Sequence, residues 1–318
     1  MSAGRRLARG GGVVMLSPIL ALLLAAVIAA GGVPAPDWLV PGDRDRPVSP
    51  GEVAIGWHGT AAVEIRTATT TLLIDPHYSR PSVWDLALGP VAPREEVLAL
   101  HVRRPDAVLV SHSHYDHLLD APAIARRFGV PLYLPDDGIR IAELAGVASG
   151  DIRPIRGGDR FAVGDLAVRV VSSRHPEVAT QWLVGGAMPL ASALPVRYTD
   201  MRTEAALVFL VSHGERTIAH LDAPDTLDAR LVDRPVDVAV VSVGVWYRRP
   251  RIFARIARAL DPAVILPMHH DDFLQPFEHG AGENPFSRWR DALPEISRDA
   301  PRVAVVGFPG FFAEFRIR

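Results

Sequence analysis

The stretch Ser111-His112-Ser113-His114-Tyr115-Asp116-His117 restricts this chain more than any other. Three imidazoles and a carboxylate fall within six residues, directly after the apolar run 107–110, which reads as a buried strand. A strand end is a fixed platform, so side chains from the loop that follows it converge on a small volume. Neighbouring imidazoles repel one another once protonated, so such crowding is costly unless a cation takes the place of the protons. Neutral imidazole with one or two carboxylates is the donor set that borderline divalent cations prefer.

Composition narrows the chemistry further. The chain has no cysteine, and none of its 34 basic residues is a lysine. A Schiff-base lysine, a G-K-[ST] phosphate loop, a thiolate nucleophile, a disulfide and a cysteine-held metal are therefore excluded. Any metal must be held by His, Asp or Glu. With 36 acidic residues the formal charge is −2, which gives no electrostatic case for nucleic acid. Hydrophobic residues make up 48% of 318, enough for one large buried core or two small ones.

Arg5, Arg6 and Arg9 precede an uncharged, mainly apolar stretch from 13 to 33. That order is expected of a signal peptide or an N-terminal membrane anchor over 1–33, with the bulk of the chain outside the cytoplasm. Residues 34–51 hold five prolines among charges and read as a stiff linker. From 52 to 318 short strand-like runs alternate with helical ones. Strands are expected at 53–57, 62–67, 71–74, 107–110, 132–134, 160–163, 166–171, 206–211, 217–221, 238–243, 264–266, 303–306 and 312–317. Helices are expected at 121–128, near 139–145 and at 252–260. This is a mixed α and β layered fold.

Further donors follow other strand-like runs. Asp75 closes Leu72-Leu73-Ile74-Asp75-Pro76, His175 ends Ser172-Ser173-Arg174-His175, and Asp222 ends Ala219-His220-Leu221-Asp222. His269 ends Leu266-Pro267-Met268-His269. Asp225 competes with Asp222, and His270 with His269; His175 beside Pro176 is either a ligand or a surface residue. Together these motifs resemble, in order, the five of the metallo-β-lactamase-fold hydrolases, over a span from about residue 52 to the end.

The resemblance implies a four-layer αββα sandwich. It implies a first metal on His112, His114 and His175, a second on Asp116, His117 and His269, and Asp222 bridging them. Asp75 would brace the loop rather than ligate. Two zinc ions would be the cofactors, with iron or manganese as substitutes, and hydroxide from a bridging water would be the nucleophile. Asp116 and His117 would sit at the reacting centre. The strings Ser113-His114-Tyr115-Asp116-His117-Leu118 and Asp75-Pro76-His77-Tyr78-Ser79 are similar to the branch that holds N-acyl-phosphatidylethanolamine phospholipase D-like and ascorbate-phosphate lactonase-like proteins. That branch implies an ester-like, lactone or phosphodiester bond in a small or lipid-like substrate. A mononuclear iron oxygenase of the same fold and a non-catalytic metal-binding surface protein are the alternatives. His58, His77, His270 and Tyr247 are candidates for substrate contact or for support of the ligands. Residues 178–202 are a candidate lid. In Trp246-Tyr247-Arg248-Arg249, after another strand end, an arginine either grips a phosphate or carboxylate or merely opens a surface helix.

Overall fold

The structure is a computed structural model and describes residues 33–176, 181–191, 193–203, 206–225, 231–284 and 287–318. The basic and apolar stretch expected to serve as signal or anchor lies, up to residue 32, outside the described residues. Among the described residues no helix is long and apolar enough to cross a membrane.

Two sheets face each other. The first has eight strands: β1 (Leu39–Pro41), β2 (Val53–Trp57), β3 (Val63–Arg66), β4 (Thr71–Ile74), β5 (Ala107–Leu109), β6 (Leu132–Leu134), β7 (Ile152–Pro154) and β15 (Ala313–Ile317). Their order is β1-β15-β2-β3-β4-β5-β6-β7. The second has β8 (Arg160–Val163), β9 (Leu166–Ser173), β10 (Ala206–His213), β11 (Arg216–Leu221), β12 (Val238–Ser242), β13 (Val264–Met268) and β14 (Ala304–Val305), in the order β14-β13-β12-β11-β10-β9-β8.

Alternation along each strand explains the layering. Ile65, Leu72, Ile74 and Leu109 meet Val168, Phe209, Ile218, Val240 and Leu266 in the inner core. The intervening Leu73 and Val108 turn outward, under the helix Ala121–Phe128 and its neighbours. Ala239 and Val241 turn outward under the helices Ile252–Leu260 and Trp289–Asp299. Covered on both faces, such strands read as continuous apolar runs rather than strict alternation. The result is the αββα sandwich.

The proline-rich stretch departs from the expectation of a stiff tether. Leu39 pairs with Ile317, so β1 extends the first sheet. The fully buried Arg316 donates to the carbonyls of Pro47, Asp43 and Arg46 at 2.8, 2.8 and 2.6 Å. A buried guanidinium must find acceptors, and a segment whose prolines cannot donate leaves its carbonyls free for that use.

Candidate metal centre

Parallel pairing brings the donors to one rim. β4 runs parallel to β5, and β11, β12 and β13 run parallel to one another. Their carboxyl ends carry Asp75, the 111–117 loop, Asp222 and His269. The carboxyl ends of parallel strands are where open α/β sheets build sites. β9, whose Ser173 pairs with Ala206, delivers His175.

The donors converge in three sets whose ligand atoms lie within 4.8 Å of one another: His112 with His114 and His175; His112 with His117 and Asp222; and Asp116 with His117 and His269. Asp222 Oδ2 lies 3.6 Å from His112 Nδ1 and 3.7 Å from His117 Nε2, between the two outer sets. His269, not His270, belongs to the cluster. His270 is clamped between Trp57 and Trp289, with ring centroids 4.9 and 5.1 Å away. Asp225 turns away, to Arg255 Nη1 at 3.3 Å.

Four of the five imidazoles have one nitrogen beside a group outside the centre, leaving the other for it, whereas His269 points Nε2 at Asp116 and buries Nδ1 without a partner. His112 Nδ1 lies 3.1 Å from Ser111 Oγ, while its Nε2 faces His114 Nδ1 at 3.1 Å. His114 Nε2 lies 3.1 Å from the Val184 carbonyl, and His175 Nδ1 lies 2.8 Å from that of Pro176. His117 Nδ1 is 3.2 Å from Asp75 Oδ2. Partners of this kind fix the tautomer and ring plane of a metal-ligating histidine. Asp75 also accepts from the Ser111 amide and hydroxyl, both at 2.6 Å, so it braces the loop from below.

Electrostatics divide the centre. Burial drives His112 well below its usual pKa, and the neighbouring imidazoles add to it. Burial likewise lowers His114, and takes His175 down to about 3 with His114 contributing. Burial also opposes charge on His117, but Asp116, Asp222 and Asp75 outweigh it and raise that imidazole well above its usual value. His269 is raised too, because its contact with Asp116 at 3.3 Å overcomes burial. Burial disfavours ionised Asp116 and Asp222, yet the imidazoles hold both below the usual carboxylate range.

A divalent cation fits each outer set. Neutral nitrogens wait on one side, and carboxylates balanced only by protons stand on the other. Asp222 Oδ1 is buried without a hydrogen-bond partner, as an unfilled ligand atom would be.

The remaining candidates stand behind the ligands or apart from them. His58 is buried, with Nδ1 2.6 Å from Tyr78 Oη, and supports the first hairpin. His77 is buried edge-on to Tyr115 and Phe273, and burial lowers it to about 3. Phe273 in turn packs on His269, so His77 backs the second triad. Tyr247 does not join the cluster; its ring lies at the surface beside Arg248 and Arg288. Of the candidate lid, Val184 reaches the centre through His114, whereas residues 178–180 and 192 lie outside the described residues.

The sequence reading passed over one clamp. Asp271 accepts from the Thr60 amide and from Arg80 Nη2, both at 2.8 Å, and Thr60 returns its carbonyl to the His269 amide at 2.8 Å. Arg80 lies over the rings of Phe277 and Phe311. The clamp holds His269 at φ 59° and Thr60 at φ 50°, left-handed conformations that non-glycine residues adopt only when held. Gly59, at φ 94°, makes the turn, and a Cβ there would lie 2.7 Å from Arg80 Nη1. The signal was available: Asp271 follows His269-His270, and Arg80 follows the Asp75 motif.

An αββα sandwich with two His/Asp sets joined through one carboxylate at its strand ends defines a class, the metal-dependent hydrolases of the metallo-β-lactamase fold. The chain belongs to the β-lactamase superfamily domain family, whose profile matches residues 54–269. It is similar to a UPF0173 metal-dependent hydrolase of Pyrobaculum arsenaticum, 28% identical over 69% of this chain and 84% of that one. A UPF0173 metal-dependent hydrolase of Listeria innocua is 26% identical over 69% and 86%. Among solved structures, the metallo hydrolase Igni18 of Ignicoccus hospitalis superposes with a TM-score of 0.52 at 16% identity, over 83% of this chain and 98% of its own. The CmlA β-hydroxylase superposes at 0.51 and 17%, over 85% of this chain and 54% of its own. These two likenesses are of fold.

Proposed function

We propose that the protein is a dinuclear zinc hydrolase that cleaves an ester-like, lactone or phosphodiester bond in a small or lipid-like substrate. The observation that carries this reading is the placement of Asp222 between two complete triads. His112, His114 and His175 would hold the first ion, and Asp116, His117 and His269 the second. When bound, such a pair supplies an acidified water and a Lewis acid for a carbonyl or phosphoryl oxygen.

The chain's own residues do the rest. Ser111 and Asp75 lock the loop that carries four of the ligands, His112, His114, Asp116 and His117. Val184 fixes the ring of His114. Asp116 and His269 keep 12% and 14% of their side chains exposed, so substrate approaches from their side. Asp116, held ionised, is placed to accept a hydrogen bond from the attacking water and orient it. The order of basic residues and apolar stretch at the N-terminus supports export, with anchoring at the membrane if that stretch is retained.

The test is elemental analysis of protein purified without added metal, followed by a screen of lactones, esters and bis(para-nitrophenyl) phosphate. About two zinc ions per chain are expected, with turnover falling about a thousandfold in His114→Ala. Stoichiometric iron with oxygen uptake would favour the oxygenase instead. Full zinc loading without turnover of any substrate class would sink the hydrolase reading.

A further inference from the structure

We propose that Arg249 is the anchor for a negatively charged group, a carboxylate or a phosphate, on the substrate of this centre. The inference rests on the hydrolase reading for the word substrate, but the anion site itself does not.

The placement follows from topology. β12 lies between β11, which ends at Asp222, and β13, which ends at His269. The chain leaving β12 therefore starts between these two ligands. At Gly244 it presses on the second triad; a Cβ there would lie 3.0 Å from both His269 Nδ1 and the His269 carbonyl oxygen. It then makes the short 3₁₀ turn Trp246–Arg248, pinned by Trp246 Nε1 donating to the Arg288 carbonyl at 3.1 Å. That turn sends Tyr247 to the surface and Arg249 inward.

Arg249 is only 4% exposed. Among the described residues its guanidinium makes no hydrogen bond and no ion pair, and its Nε is buried without a partner. Of the two carboxylates whose charge bears on it, Asp222 and Asp225, the second is already held by Arg255 through Nη1 at 3.3 Å and through its backbone carbonyl. Burial pulls Arg249 down to about 10, opposed by Asp222 and Asp225, and its charge depresses His175. The guanidinium thus lies largely out of water on the segment that leaves β12 between the strands carrying Asp222 and His269. A buried charge is costly unless paired. A planar five-donor fork is suited to a bidentate carboxylate or phosphate. A substrate that carries such a group would be oriented by Arg249 while its scissile bond lies over the ligand cluster.

The test compares zinc-loaded wild type with Arg249→Met and Arg249→Lys, zinc content being measured in parallel. Calorimetric titration with inorganic phosphate and, separately, with acetate reads anion binding without turnover. Loss of the fork is expected to weaken one or both anions about tenfold or more in Arg249→Met, with Arg249→Lys between. Which anion responds tells phosphate from carboxylate. The second arm takes the ratio of kcat/KM for mono-para-nitrophenyl succinate over para-nitrophenyl acetate, or for the phosphodiester if that is the substrate cleaved. The ratio is expected to fall about tenfold in Arg249→Met. An unchanged ratio, with all substrates losing alike, would make Arg249 a counter-charge to Asp222 and overturn the proposal. So would anion affinities equal to wild type, or no anion binding by wild type. Anion binding that depends on Arg249 in a protein that cleaves nothing would sink the hydrolase reading and leave the anion site standing.

Discussion

His112, His114 and His175 meet as three imidazoles, whereas Asp116, His117 and His269 mix a carboxylate with two. The first set is kept neutral by burial and mutual repulsion. In the second, Asp116, together with Asp222 and Asp75, raises His117 enough to retain a proton. Without metal, one set is a cluster of neutral imidazoles and the other a self-neutralised cluster of imidazole and carboxylate. A cation entering the first displaces little; a cation entering the second must displace protons.

Asp222 stands between the two sets, 3.6 Å from His112 and 3.7 Å from His117, so its loss should disturb both and rank among the largest effects. Asp222→Ala is expected to lower turnover about a thousandfold and to reduce bound zinc below wild type. Activity within tenfold of wild type would remove Asp222 from the centre. Single-set changes sharpen the contrast. His175→Ala and His269→Ala should each hold about one zinc ion, His175→Ala retaining the site whose occupancy releases protons. Equal proton release on zinc binding in the two variants would contradict an electrostatic division between the sets.

The pH dependence follows with a definite sign. His112, His114 and His175 have lowered pKa values, so as pH falls protons compete with metal there less than at an ordinary histidine. His117 and His269 are raised, so lowering pH keeps them protonated and opposes metal. Zinc titrations at pH 7 and pH 5 should show the second binding step weakening by about a hundredfold more than the first, since each competing proton contributes up to about tenfold per pH unit. Parallel weakening of both steps would contradict this.

The two sets also differ in how much of them could be read from sequence. His112, His114, Asp116 and His117 share one short segment after a buried strand, so their convergence is local. Asp222 and His269 follow apolar runs that stand out because both faces of those strands are covered. The choice between His269 and His270 needed tertiary contacts, since only packing sends His270 between two tryptophans. Elements that bury little escaped notice. The helix Val83–Leu88 buries no residue, and Trp289–Asp299 carries Pro294 inside it, which reads locally as a break. β1 hid in a proline-rich stretch because an edge strand tolerates missing donors. The Asp271 clamp hid for a related reason: Arg80 Nη2, the Thr60 amide and Asp271 are brought together by the fold across 191 and 211 residues of chain.

That clamp gives the smallest and most selective prediction. The Asp271 carboxylate bonds to Thr60 and Arg80 rather than to a candidate ligand, but through Thr60 it sets the backbone of His269. In Asp271→Asn the amide oxygen can still accept from Thr60, while an amide NH₂ would then face Arg80 and leave that buried guanidinium short of its ionic partner. The guanidinium keeps the carbonyls of Gln275 and Asp272 as acceptors at 2.5 and 2.8 Å, so the loop should loosen rather than unfold. Support of a ligand is typically worth about ten- to a hundredfold in metal affinity. The second zinc step should therefore weaken about tenfold while the first keeps its wild-type affinity, with near-ultraviolet circular dichroism reporting that the fold is intact. Equal weakening of both steps would mean that Asp271 serves the whole rim. No weakening would mean that the left-handed turn at His269 is held by the Thr60 carbonyl alone.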